Sequence, residues 1–190
     1  MKKNLKGLAA AIIVLATVAF TTTKKETKKV DTQASKITWT GEKLTGSHTG
    51  TIQLQEGYLN FEQNKLTGGS FIIDMTTINV TDLKGEGKQK LEGHLKSDDF
   101  FGVKDHTKAM FNITNVIKKG STYAVSGKMT IKGKTELTSF DMNVMENSAT
   151  AKLTIDRTKF GIKYGSGSFF DNLGDNMIYD DFILDVNLKF

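Results

Sequence analysis

Cysteine is absent from all 190 residues. That removes a disulfide framework, a thiol nucleophile and a cysteine-ligated zinc site, and with them a lipid-modified cysteine at a processing site. Arginine occurs once, as Arg157. The formal charge of +5 gathers at the N-terminus: seven of 26 basic residues but one of 21 acidic residues precede Val30, leaving 19 against 20 in the body. A near-neutral body with a single guanidinium has little to set against a phosphate backbone, so nucleic acid is excluded as a partner. No apolar run reaches the about 20 residues that cross a bilayer as a helix. The longest, Leu8 to Phe20, follows Lys2, Lys3 and Lys6 and precedes Thr21, Thr22 and Thr23.

That N-terminal layout is the layout of a secretory signal. Residues 1–20 are expected to be a signal peptide, with Ala19 a loose match to the small residues of a cleavage site, and 21–34 a solvated Lys/Thr-rich linker able to make weak contact with anionic headgroups. Residues 35–190 then form one domain in a periplasmic or secreted product.

Catalytic chemistry is sparse. His48, His94 and His106 do not stand in a metal-ligand spacing. His94 with Asp98 or Asp99, and Asp105 with His106, are the pairs able to share a proton or a metal, and capping or solvent exposure is their simpler reading. Gly85-Glu86-Gly87-Lys88 lacks the spacing of a phosphate loop, and Gly165-Ser166-Gly167-Ser168 is no nucleophile elbow. The run Asp171, Asn172, Asp175, Asn176, Asp180, Asp181 does not follow a calcium loop. The chain is expected to be no enzyme and to hold no metal or cofactor.

What the body does contain is apolar–polar alternation with a period of two, the mark of strands with one buried face. Phe182, Leu184, Val186, Leu188 and Phe190 alternate with Ile183, Asp185, Asn187 and Lys189; Phe140, Met142 and Val144, and Ala149, Ala151, Leu153 and Ile155, do likewise. Six shorter pairs bring the expectation to eight or nine strands. Turns are expected at Glu56-Gly57, Asn64-Lys65, Lys119-Gly120 and Lys132-Gly133-Lys134. Short turns make an antiparallel meander, and closure into a barrel removes both edges; a β-sandwich is the alternative. Between Thr81 and Phe101 the alternation breaks, and Leu91 and Leu95 stand four apart, which predicts a short helix over one mouth of the barrel. Twelve Phe and seven Met fall mostly on the inward face. A small barrel with such a face either fills itself or encloses one ligand, and the pattern alone does not choose.

Five segments, in order, resemble the YceI-like family of bacterial lipid-binding proteins: Ser35–Trp39, Gly93–Phe101, Met110–Thr114, Ser126–Thr135 and Ile155–Ile162. The likeness departs from the family pattern at Thr40–Leu44, at Lys132 and before Ala109, where the family tends to have a proline; this chain has none. The resemblance implies an all-β fold: an eight-stranded antiparallel lipocalin-like extended β-barrel with a short helix near one end and a tunnel for a polyisoprenoid, an isoprenoid quinone or another long-chain amphiphile. Ligand-lining residues are then expected at Trp39, Phe71, Ile73, Leu91, Leu95, Phe100, Phe101, Phe111, Ile113, Met129, Ile131, Phe140, Met142, Phe160 and Phe182. His94 and Arg157 are the candidate head-group contacts, and Phe100 with Phe101 a gate beneath the helix. For Arg157 the plainer reading is an ion pair at the rim. The alternative function is a structural, stress-associated envelope protein with a self-filled barrel. An exposed strand edge would permit a homodimer, which the pattern does not require.

Overall fold

Two turns pin the register of the sheet. Gln63 and Asn64 both take positive φ (49° and 61°), as do Lys132 and Gly133 (48° and 72°). This is the geometry of the two-residue turn whose twist matches antiparallel strands, and it sets Glu62 against Lys65 and Ile131 against Lys134. Residues 24–190 are described by a computed structural model of the chain; the expected signal peptide, residues 1–20, lies outside the described residues.

Nine strands follow one another: β1 (Lys25–Lys29), β2 (Lys36–Lys43), β3 (Gly46–Glu62), β4 (Lys65–Val80), β5 (Lys108–Lys119), β6 (Thr122–Ile131), β7 (Lys134–Met145), β8 (Ser148–Asp156) and β9 (Ile178–Lys189). One helix, α1 (Gly85–Lys96), links β4 to β5. Their order in the sheet is β1-β3-β2-β9-β8-β7-β6-β5-β4, and β3 also pairs with β4. That pairing closes β2–β9 into an eight-stranded antiparallel barrel, so the sandwich alternative falls away.

Two sequence expectations are corrected. The 21–34 segment is not simply a solvated linker, because Lys25–Lys29 pair with Tyr58–Glu62 of β3 and Val30 enters the core at 3 % exposure. Backbone pairing is indifferent to side-chain charge, so the lysines stay in water while their amides and carbonyls join the sheet; Lys28 lies over the rings of Phe61 and Phe190. Nor is there a turn at Glu56-Gly57. Strand β3 runs through it with a bulge, Leu54 facing Ile73 and Glu56 facing Ile72. The extra residue restores the inward phase of Gly57, Leu59 and Phe61 after Leu54, all buried. A Cβ at Gly57 would stand 2.8 Å from the Phe71 ring, so glycine there serves close packing rather than a turn.

One half of the barrel is solid and the other is not. Away from α1, Val30, Leu59, Phe61, Leu66, Tyr123 and Val125 fill the interior, and Phe61 meets Phe190 at 6.2 Å. At the opposite end α1 is laid across the rim with none of its residues buried. Polar contacts tether it: Glu92 accepts the Val80 N–H at 2.8 Å, and the Lys88 ammonium donates to Asn79 at 2.8 Å. Ser97 ends it by donating to the His94 carbonyl.

Candidate functional site: an apolar cavity with a lateral mouth

The half of the barrel beneath α1 encloses a cavity of about 160 Å³ that is open to solvent at one side. One water needs on the order of 10–15 Å³, so this is far more than a packing defect. Its wall comes from alternating inward positions, because strand residues two apart share a face. Twelve of the fifteen side chains expected there line it: Trp39, Phe71, Ile73, Leu95, Phe100, Phe101, Phe111, Met129, Ile131, Phe140, Met142 and Phe182. Phe100 and Phe101 meet edge to face at 5.1 Å just beyond the helix, and Phe101 continues to Phe182 at 6.2 Å.

Three do not line it. Leu91 stands one turn further back along α1, about 6 Å along the helix axis, half-exposed beyond the rim. Ile113 lies two residues past Phe111 toward the filled end, beside Leu59 and Gly69. Phe160 is buried at 2 % exposure in the 3-10 turn Arg157–Phe160, where the chain has left the strand. The list of expected residues also missed Leu153, Ile155, Leu184, Val186 and Leu188, which line the cavity although the alternation of β8 and β9 already marked them as inward.

The cavity reaches solvent through the seam between β2 and β9. Gly41 pairs with Phe182, but the next pair is Lys43 with Ile178. One residue of β2, Glu42, therefore faces three of β9, Tyr179, Asp180 and Asp181. Ladder hydrogen bonds are interrupted at such a bulge. Glu42, Tyr179 and Asp181 are all exposed and all border the cavity. No periodicity marks this opening, since it arises from a mismatch in length between strands distant in sequence.

Arg157 sits just inside, 2 % exposed. Its Nε donates to the Tyr179 carbonyl at 3.1 Å, Nη1 to Ile162 at 2.9 Å and Nη2 to Ile178 at 2.9 Å. Nη2 also lies 3.6 Å from Asp180 Oδ1, and the guanidinium is over the Phe100 ring at 5.5 Å. With a donor on each nitrogen spent on the backbone, it fastens the start of β9 to the turn after β8; the plainer sequence reading, an ion pair at the rim, describes part of this. Burial lowers its pKa, opposed by Asp180 and Asp156, and a guanidinium so placed stays charged. Burial tends to raise the Asp180 pKa, but hydrogen bonds from Ser166 and Ser168 and the charge of Arg157 outweigh it and hold the carboxyl below the usual range.

His94 does not border the cavity. Its ring packs edge-on against Phe100 at 5.4 Å and Tyr164 at 4.5 Å, with Nε2 buried and unpartnered. Burial pushes its pKa down, Asp99 pulls it up and Arg157 pushes it down further. The imidazole thus joins α1 to the segment after β8. Among the described residues no three His, Cys, Asp or Glu side chains gather as a metal site.

The model of the YceI-like domain matches residues 29–190. The chain belongs to the YceI-like family. Its relatives include a UPF0312 protein of Staphylococcus aureus (strain USA300), 32 % identical over 124 residues that cover 55 % of this chain and 68 % of that one. A UPF0312 protein of Staphylococcus epidermidis (strain ATCC 35984) is 34 % identical over 84 residues, 38 % of this chain and 47 % of the relative. Among solved structures, Burkholderia cenocepacia BcnA superposes with a TM-score of 0.64 at 23 % identity, over 84 % of this chain and 98 % of that one. A polyisoprenoid-binding domain from Saccharophagus degradans superposes with a TM-score of 0.59 at 15 % identity, over 84 % and 95 %. At those identities the two structures speak for the shared YceI-like fold.

Proposed function

We propose that this YceI-like protein binds a long apolar lipid, a polyisoprenoid or related amphiphile such as an isoprenoid quinone, in its barrel and carries or stores it without chemically altering it. The observation that carries the reading is the cavity wall, apolar from Met142 and Leu188 at its inner end to Leu95 and Phe100 under the helix. Each methylene transferred from water to such a wall gains about 0.8 kcal/mol. Ten would gain roughly 8 kcal/mol before the cost of ordering the chain, so few polar contacts are needed. The polyisoprenoid-binding domain of Saccharophagus degradans has the same fold, which supports this class of ligand. Among the described residues Arg157 is committed to carbonyls and His94 faces aromatic rings, so neither supports turnover. The basic-then-apolar N-terminus supports export, and with it a role in the envelope.

Ala151 supplies a direct test, since it borders the cavity between Met142 and Val186, its partners across β7 and β9. Ala151→Phe fills the space. The expected result is loss of uptake of a fluorescent long-chain probe with thermal stability kept or raised. Undiminished uptake by a folded Ala151→Phe protein would place the ligand elsewhere.

A further inference from the structure

Ten large apolar side chains are exposed among the described residues, and five of them, Leu44, Tyr164, Phe169, Phe170 and Tyr179, belong to the segments that meet at the cavity mouth. The other five are scattered over three different strands of the outer wall, as single exposed apolar residues commonly are. The clustering is built in by hydrogen bonds. The Leu44 N–H donates to the Met177 carbonyl at 3.1 Å and the Ile178 N–H to Gly165 at 2.8 Å, while the Ser168 hydroxyl donates to Asp180 at 2.5 Å. Arg157 holds Ile178 and Tyr179 from below. A firmly seated base thus presents Phe169 and Phe170 to solvent, 46 % and 51 % exposed, instead of folding them into a core.

We propose that this rim is a bilayer-docking surface, a proposal that rests on the lipid-binding reading of the barrel, and that it recognises zwitterionic rather than anionic membrane. Exposed apolar clusters of this kind mark interaction surfaces, and this one frames the opening of an apolar cavity. A bilayer is at once the surface and the source of a long-chain occupant, whereas a protein partner would cover the mouth without supplying one. The side chains suit the headgroup boundary: Tyr places its ring at the acyl-chain edge and keeps its hydroxyl in water, and Phe inserts a wholly apolar ring among the chains. The Lys163 ammonium lies 4.2 Å from the centroid of the Phe169 ring, placed to reach lipid phosphate as the ring inserts. The surrounding charge sets the lipid type. Glu42 and Asp181 border the mouth and Asp171 and Asp175 lie on the same loop, against Lys43 and Lys163. That excess of carboxylates repels an anionic surface and leaves apolar insertion as the attraction.

Vesicle flotation of residues 24–190 tests this, with phosphatidylcholine vesicles alone and with phosphatidylglycerol added. The protein is expected to float with phosphatidylcholine independently of salt, and less as phosphatidylglycerol rises. Phe169→Ser with Phe170→Ser is expected to lower flotation about tenfold or more, and Leu44→Ser to lower it less. Both variants should unfold at the wild-type temperature and take up a long-chain probe from detergent micelles as the wild type does. Micellar uptake reads the cavity alone, so its failure refutes the lipid-binding reading, while normal uptake without flotation refutes only docking. Binding that grows with phosphatidylglycerol and vanishes in salt, or a folded double variant that floats like the wild type, would also overturn the proposal.

Discussion

Arg157 has its guanidinium spread over three backbone carbonyls from two segments, a geometry that a planar fork of donors can satisfy and the point charge of a lysine cannot. Arg157→Met is expected to lower stability by about 3 kcal/mol, because it strands buried acceptors and leaves Asp180 without its cation. Urea denaturation measures this, and a loss under about 1 kcal/mol would contradict the role. His94 makes a pH prediction whose sign follows from its depressed pKa. The folded protein binds fewer protons there than the unfolded chain, so this contribution is complete above the ordinary histidine value near 6.5 and is lost as pH falls from there through the folded pKa. His94→Phe should flatten the fall in urea midpoint between neutral pH and about pH 5; an unchanged slope would show that the ring is free to protonate in place. At this scale the sequence was partly legible. Inward aromatics such as Phe111 and Phe140 announce themselves by alternation. Arg157 gives no such sign, since its partners are carbonyls five and about twenty residues away and a carbonyl has no residue type.

Strands were legible wherever one face is apolar and the other polar, as in β9, and illegible where that contrast fails. Strand β1 reads KETKK, with no apolar residue to alternate, and joins the sheet by backbone pairing that its side chains do not announce. Strand β3 hides its continuity because the bulge at residues 54–56 shifts the alternation, and the same glycine that suggests a turn is there to admit Phe71. Gly50 tests how closely this sheet is packed: a Cβ there would stand 2.0 Å from the Asn79 carbonyl oxygen and 2.4 Å from the Trp39 ring. Both neighbours are fixed in the sheet, so Gly50→Ala is expected to cost about 2–3 kcal/mol. A neutral substitution would mean that the seam between β2, β3 and β4 yields freely. Helix α1 has no buried residue, and regions with few buried contacts open at low free energy. Its amides are expected to exchange hydrogen well before those of β6 and β8; exchange as slow as the barrel's would contradict its reading as a loosely tethered cover.

For the molecule as a whole, eight or nine alternating strands favoured closure into a barrel but left a sandwich open, and the eight-stranded form followed from the resemblance to the YceI-like family, to which the chain belongs. Whether the interior is filled was not readable, because a solid core and a cavity wall use the same Phe, Ile and Met. The structure contains both, a plug around Phe61 and Leu59 and a cavity beneath α1. The lateral mouth was equally invisible, being set by three residues of β9 opposite one of β2. The central claim is that this cavity carries a lipid. It is tested most directly by purifying the protein from its native cells, extracting it with organic solvent and analysing the extract by mass spectrometry. The account predicts a long-chain, isoprenoid-like amphiphile in about one-to-one ratio with protein, as a barrel of this size holds one ligand. An extract free of lipid, from a protein that also refuses added long-chain lipids, would contradict it and make the barrel a self-sufficient structural element.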